Sequence, residues 1–189
     1  MDAIEALQGR VSVARLVEPG PSREQLDQIL RAAMRAPDHG VLRPWRFLVL
    51  EGDALGRLGE IFARAIRHDQ PDVDETTLQR IREKPFRAPT VITAVAEVDP
   101  DNRIPVEEQL LATGAAVQNM MVAAHALGLG AMWRTGSMAF HPEVKRGLGF
   151  APRDRIVGFV YLGTPAGEPK TAPRESPEPY LRTIPGSDS

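Results

Sequence analysis

IPVEEQLLATGAAVQNMMVAAHALGLGAMWRTG, running from Ile104 to Gly136, is the stretch whose reading decides the fold. Val106 to Leu127 reads as about six helical turns at 3.6 residues per turn. Leu110, Leu111, Val117, Met120, Met121, Val122 and Leu127 fall on several faces of that helix. Between them Ala112, Gly114, Ala115, Ala116, Ala123, Ala124 and Ala126 let neighbouring backbones approach closely. A helix apolar nearly all round is buried, in a core or against a partner subunit. Glu107, Glu108, Gln109, Thr113, Gln118, Asn119 and His125 interrupt it too often for a membrane span. Gly128 and Gly130 end the helix, and Ala131 to Thr135 reads as a short strand that brings Trp133 and Arg134 to a site.

Working outward, a chain of 189 residues fits one domain and buries about 70% of its unfolded surface. A net charge of −2 gives no global field for nucleic acid or an anionic membrane. Of the 23 basic residues only Lys84, Lys145 and Lys170 are lysines. With no cysteine in the chain, disulfides, thiolate nucleophiles and Cys-ligated metals are excluded. The opening MDAIEALQGR holds acidic residues and no signal-peptide core, so a cytoplasmic location is expected.

N-terminal to the central helix, Asp2 caps a helix to about Gln8, and Arg10 to Arg15 is irregular or extended. Ser22, with Gln25 in the capping-box position, opens a helix to about Arg35. Ala36-Pro37-Asp38-His39-Gly40 breaks it, which puts His39 in a loop. Trp45 to Leu50 is a strand. Asp53 caps a helix to about Arg67, and Asp69 to Arg82 forms a second one. Pro85 and Pro89 bracket a turn before a buried strand from Thr90 to Ala96. C-terminal to the central helix come a small helix around His141 to Leu148 and a strand from Arg155 to Leu162. From Gly163 on, six of 27 residues are proline, so the division is a single domain over residues 1–163 and a Pro-rich C-terminal arm over 164–189. The pattern is α+β.

The phosphate loop of nucleotide triphosphatases and the nucleophile elbow of hydrolases are both missing. Gly128-Leu129-Gly130 runs from helix into strand, the reverse of the dinucleotide-fold fingerprint. His39, His68, His125 and His141 show no ligand spacing with one another and Glu107-Glu108 lacks a His partner, so no metal is expected. What remains is Arg10, Arg15, Arg35 and Arg134 at element ends, with Ser12 and His39 in adjoining loops. Such donors suit a phosphorylated ligand.

At this point the motifs become recognisable. Arg10-x-Ser12-x-x-Arg15 resembles the opening signature of the nitroreductase superfamily of FMN enzymes. Ala36-Pro37-Asp38-His39 ahead of Pro44-Trp45-Arg46-Phe47 resembles its second signature. Within the superfamily the chain looks most like the short bacterial YdjA-like branch of NAD(P)H nitroreductases. MRAPDH followed by PW, KPFRAP (Lys84 to Pro89), the WR[ST]G strand and the closing IVGF-YLGTP carry that likeness over Met1 to Pro165.

The resemblance implies a nitroreductase-like α+β sandwich, with a central, mostly antiparallel sheet flanked by helices. It also implies an intimate homodimer with FMN at the subunit interface. By carry-over, Arg10, Val11 and Ser12 line the flavin with Trp133, Arg134 and Thr135, Arg134 clamping the phosphate. Arg35 and His39 reach over from the other subunit. Ala123, Ala124, His125, Ala126, Leu127 and Gly128 are associated with NAD(P). No protein side chain is expected to be catalytic, since the flavin N5 carries the hydride. The implied function is an NAD(P)H oxidoreductase passing two electrons to nitroaromatics or quinones by a ping-pong mechanism. An FMN carrier or redox sensor, and a helical scaffold protein, are the alternatives. The chain departs from the wider family where Arg-Val-Ser replaces a two-base opening, where Asp38 to Trp45 replaces a Ser-x-x-Asn signature, and in having no room for a long helical excursion.

Overall fold

Short-range hydrogen bonds decide where the helices begin. The Asp2 carboxylate accepts from the Ile4 and Glu5 amides, and Glu5 returns a bond to the Asp2 amide, opening α1 (Ala3–Gly9). Ser22 and Gln25 form the same reciprocal box at the start of α2 (Arg23–Ala33). Each such cap stabilises its helix by about 1 kcal/mol. The computed structural model describes residues 1–168 and 170–184. Of the proposed arm, Pro169 and residues 185–189 lie outside the described residues.

α3 (Asp53–Asp69) is capped by Gly52 rather than Asp53; Asp53 is the first helical residue, and Gly52 takes the turn at φ 52°. Asp is favourable at both positions, which is why its presence does not resolve one from the other. The expected helix from Asp69 starts only at Glu75: α4 (Glu75–Arg82) is capped by Asp74, which bonds the Thr77 amide. α3 and α4 approach so closely that a Cβ on Gly59 would stand 2.3 Å from the Arg82 carbonyl oxygen. α5 (Val106–Ala126) follows the predicted span. Beyond it α6 (Gly136–Phe140) and α7 (Pro142–Gly147) replace the single helix expected around His141.

Five strands form the sheet: β1 (Leu16–Val17), β2 (Trp45–Glu51), β3 (Thr90–Ala96), β4 (Gly130–Arg134) and β5 (Arg155–Pro165). β5 pairs with β3, β4 and β1, and β3 carries β2 on its other edge; every pairing is antiparallel. β1 is new relative to the sequence reading, and β5 runs past Gly163 to Pro165, where it pairs with β1.

Strand alternation sorts side chains onto two faces. Val91, Val95, Phe159 and Tyr161 pack with Leu58 and Phe62 of α3 and with Val144 of α7. Ile92, Ala94, Val160 and Leu162 pack with Ile29 of α2 and with Val117 and Met120 of α5. The sheet is therefore sandwiched between two helical layers, and all seven β3 residues are buried. Each fully buried Val, Leu or Phe adds roughly 1.5–3 kcal/mol. The polar residues of α5 are used internally. Buried Gln109 donates to the carbonyls of Asp99 and Ile104 and accepts the Asp99 amide, tying the preceding loop to the helix. No helix among the described residues is long and apolar enough to cross a membrane.

Candidate functional site

β4 is where the candidate residues gather. Ala131 faces α5, and Trp133 shares its side, with Cη2 3.9 Å from where a Cβ on Gly114 would stand. Its indole N–H donates to the Val157 carbonyl at 3.1 Å while 36% of the residue stays exposed. A Cβ on Gly158 would lie 2.1 Å from that indole nitrogen, so the glycine makes the slot the ring occupies.

Met132 and Arg134 point to the other face. The Arg134 guanidinium sits 5.8 Å from the Tyr161 ring centroid, and its Nε is buried with no hydrogen-bond partner. Lys84, Arg87, Arg134, Thr135, Ser137 and Tyr161 line a cavity of about 380 Å³. Among the described residues none of its three cations makes an ion pair. Burial, then the Arg87 charge, hold the Lys84 ammonium below the ordinary lysine value, and burial raises the Tyr161 phenol. Uncompensated cations in a partly dry cavity favour an anion, with the guanidinium groups the better bidentate donors. Lys84 and Arg87 were seen in the sequence only as part of KPFRAP; that motif was the signal for them.

At the other end of β4, Arg10 closes α1 with its amide on the Ala6 carbonyl, and its Nε is also buried and unpartnered. The chain then runs beside β4: Val13 donates its amide to the Ala131 carbonyl at 2.9 Å, Val11 borders Gly128 and Leu129 in a cavity of about 200 Å³, and Ser12 is exposed. A Cβ on Gly9 would lie 3.3 Å from His125 Nε2. The structure thus brings Arg10–Ser12 beside Ala123–Gly128. Within that segment Ala124 is fully buried, His125 is half-buried, and Ala126 and Gly128 are exposed. Arg10 and Arg134 flank opposite ends of a strand about 15 Å long.

Arg35 and His39 lie elsewhere. α2 runs antiparallel to α5: Gln25 Nε2 donates to the Leu127 carbonyl, Asn119 Nδ2 to the Ala32 carbonyl, and His39 Nδ1 meets Glu108 Oε2 at 2.7 Å. Glu108 does have a histidine partner, drawn from 69 positions away. The seventeen residues from Glu108 to His125 span about 25 Å of helix. Within one chain His39 is that far from Gly9 and Arg10. The His39 loop is held in an uncommon conformation, with Val41 at φ 55° and Arg43 at φ 50°, and the Asp38 carboxylate accepts the Arg43 amide. A left-handed β-branched residue is a local strain that such loops hold where a side chain must be aimed. Away from β4, His68 and His141, which show no ligand spacing in the sequence, both lie against Asp69.

α5 leaves one stripe uncovered: Leu111 is 71% exposed, and Gly114, Ala115, Gln118 and Val122 are half-buried.

The fold is an α+β domain, an all-antiparallel sheet between helical layers, with Arg10 and Arg134 near the two ends of one strand. The Nitroreductase family model matches residues 7–164, and the chain belongs to that family. It is 44% identical over 166 residues to the Escherichia coli (strain K12) protein named "Putative NAD(P)H nitroreductase YdjA", covering 87% of this chain and 89% of that one. It is 36% identical to a Haemophilus influenzae protein named "Putative NAD(P)H nitroreductase", over 87% and 89% of the two chains. A solved "putative nitroreductase in complex with fmn" from Desulfovibrio desulfuricans superposes with a TM-score of 0.75 at 26% identity, over 98% of this chain and 99% of that chain. A nitroreductase-like protein from Bacillus cereus superposes with a TM-score of 0.83 at 23% identity, over 98% and 97%.

Proposed function

We propose that this protein is an FMN-dependent NAD(P)H oxidoreductase, a nitroreductase that passes two electrons to electron-poor acceptors such as nitroaromatics and quinones by a ping-pong sequence. The observation that carries it is the pair of orphaned guanidinium nitrogens of Arg10 and Arg134 at the two ends of β4. FMN is elongated, with a dianionic phosphate at one end and, at the other, a ring edge that gains negative charge on reduction. Two unpaired guanidinium groups separated by a short strand fit both ends.

When bound, FMN supplies the two-electron exchange, receiving hydride at N5 and passing electrons to the acceptor. The chain holds and orients it. Arg10 and Arg134 would donate charge-assisted hydrogen bonds, the Ser12 hydroxyl would hold ribityl oxygens, and Val11 would offer backbone groups. Trp133 gives a flat apolar wall and Thr135 closes the strand end. No protein nucleophile takes part. The exposed backbone at Ala126 and Gly128, beside Arg10, offers itself to the dinucleotide.

The protein works as a homodimer in this reading. The Leu111–Val122 stripe of α5 packs against its counterpart, and an antiparallel match of two such helices brings the partner's Arg35 and His39 towards Arg10, from which His39 lies about 25 Å away within one chain. The residues after Ala166 extend the embrace, since Tyr180, Leu181 and Ile184 are apolar and 78%, 65% and 93% exposed.

The test is an absorbance spectrum of purified protein before and after anaerobic NAD(P)H. Flavin bands that bleach support the enzyme. Flavin that does not bleach with either dinucleotide points to a carrier, and colourless protein that ignores added FMN refutes the proposal. Comparing FMN with riboflavin in Arg10→Ala and Arg134→Ala then reads the polarity of the ligand, because only the variant at the phosphate end loses the preference for FMN. Unchanged flavin retention in both variants removes the site.

A further inference from the structure

The C-terminal end of α3 meets the N-terminal end of α7 at three side chains that the flavin reading does not use. His68 Nδ1 lies 3.2 Å from Asp69 Oδ1, and His141 Nε2 lies 3.1 Å from Asp69 Oδ2. One ligand atom from each of the three residues falls within 4.8 Å of the others. A tetrahedral zinc ion at about 2.0–2.1 Å from imidazole nitrogen and 2.0–2.2 Å from carboxylate oxygen spaces its ligands about 3.3 Å apart. His68 meets Oδ1 and His141 meets Oδ2, so a single ion held by both rings takes the carboxylate through both oxygens or draws the rings together by small side-chain rotations, within the 4.8 Å that already encloses the three ligand atoms. A cavity of about 350 Å³, bordered by Ser137, Phe140 and Glu143, opens onto the three residues and leaves room for a fourth, exchangeable ligand such as water.

We propose that His68, Asp69 and His141 form a binding site for a divalent transition-metal ion of borderline softness, with zinc the best match. The donor set is two imidazoles and one carboxylate, which suits zinc over calcium or magnesium, cations that take oxygen ligands. The state of His141 sets the terms of loading. Its Nδ1 accepts the Glu143 amide at 3.1 Å, so the neutral ring carries its proton on Nε2 and donates it to Asp69. Zinc at Nε2 takes the place of that proton, which moves to Nδ1. The ring stays neutral, and the Glu143 amide gives up its acceptor. Binding is thus coupled to the first turn of α7. His68, exposed on the last turn of α3, adjusts its rotamer without such a cost.

The consequence is a cross-link between residues 72 positions apart. Ser137 of α6 lines this cavity and also the cationic cavity of Arg134 and Thr135. Zinc would therefore brace the α6–α7 segment that forms one wall of the flavin-side cavity. It is a structural and regulatory ion in this reading and takes no part in hydride transfer.

The experiment uses untagged, full-length protein stripped with a chelator, with zinc chloride titrated by calorimetry and followed by thermal melting. One zinc per chain and a rise in Tm that grows with zinc concentration are expected, as for any ligand held by the folded state alone. Cobalt(II) in place of zinc should give the visible absorption of a tetrahedral site. His68→Ala removes an exposed side chain without threatening the fold, and Asp69→Asn keeps its shape; each should weaken zinc binding by more than about 10-fold. His39→Ala, at the far histidine, should leave it unchanged. Equal zinc affinity in wild type, His68→Ala and Asp69→Asn overturns the proposal, as does a Tm indifferent to zinc.

Discussion

Gly158→Ala is the substitution through which strand pairing and the candidate flavin wall are most directly coupled. The added methyl would stand 2.1 Å from Trp133 Nε1, 2.5 Å from Cδ1 and 3.0 Å from the Arg134 carbonyl oxygen. Comfortable contact needs about 3.5 Å, so the indole must retreat by about 1.4 Å or the β4–β5 ladder must open. Retreat breaks the 3.1 Å bond from the indole to Val157, a net loss of about 0.5–1.5 kcal/mol. Overpacking adds about 1–3 kcal/mol. The sum, roughly 1.5–4.5 kcal/mol, lowers Tm by roughly 3–18 °C for a chain of this size. Thermal melting with tryptophan fluorescence reads both effects, since Trp133 is part-exposed whereas Trp45 is 5% exposed. Trp133→Ala in the same chain should recover much of the loss, because it removes the atoms the methyl strikes. A Gly158→Ala protein with wild-type Tm and emission would refute the reasoning. So would a double variant whose losses simply add.

Ser22→Ala removes the hydroxyl that accepts the Gln25 amide at 3.2 Å and should cost about 1 kcal/mol in urea unfolding. Leu111→Arg places a charge in the middle of the α5 stripe and should shift the protein from dimer to monomer in analytical ultracentrifugation, while a lone surface leucine would leave the mass unchanged. Truncation after Ala166 should lower the stability of that dimer against dilution; equal dissociation curves would free the arm from this role. Lys84 gives a pH signature. Its pKa is lowered in the folded state, so between that value and the ordinary lysine range the unfolded chain binds more protons and stability rises with pH. Lys84→Met abolishes the cost of burying the charge. It should be more stable than wild type at pH 7, with the difference shrinking at alkaline pH as the lysine neutralises. A constant difference across pH would show that the charge is not the cause.

The long elements were readable because their signals are local. The capping pairs Asp2 with Glu5 and Ser22 with Gln25 lie three residues apart, and the uninterrupted apolar run from Thr90 to Ala96 is what a strand covered on both faces demands. β1 has two residues and α6 five, too few to show a period, and both exist only because β5 and the α3 layer are there to receive them. The site was legible in part. Arg10 and Arg134 stood out as cations at element ends, but their lack of partners is a property of packing. The meeting of Lys84 and Arg87 with Arg134, of His39 with Glu108 and of His68 with His141 each spans tens of residues, and no spacing rule reports it. Gly52 capping α3 in place of Asp53 is a plainer miss, since two adjacent residues suited adjacent positions.

The place of β5 in the sheet also constrains how this chain is made. Residues 155–165 supply the pairing partner for β3, β4 and β1, and Leu16 at the start of the chain registers with Pro165 near its end. A ribosome therefore releases most of the protein before its sheet can close, and β3, apolar on both faces, waits with one edge unpaired. Contacts of such long sequence separation form slowly and leave aggregation-prone edges exposed meanwhile. Expression yield should consequently be more sensitive to chaperone supply and growth temperature than the stability of the finished protein alone would suggest.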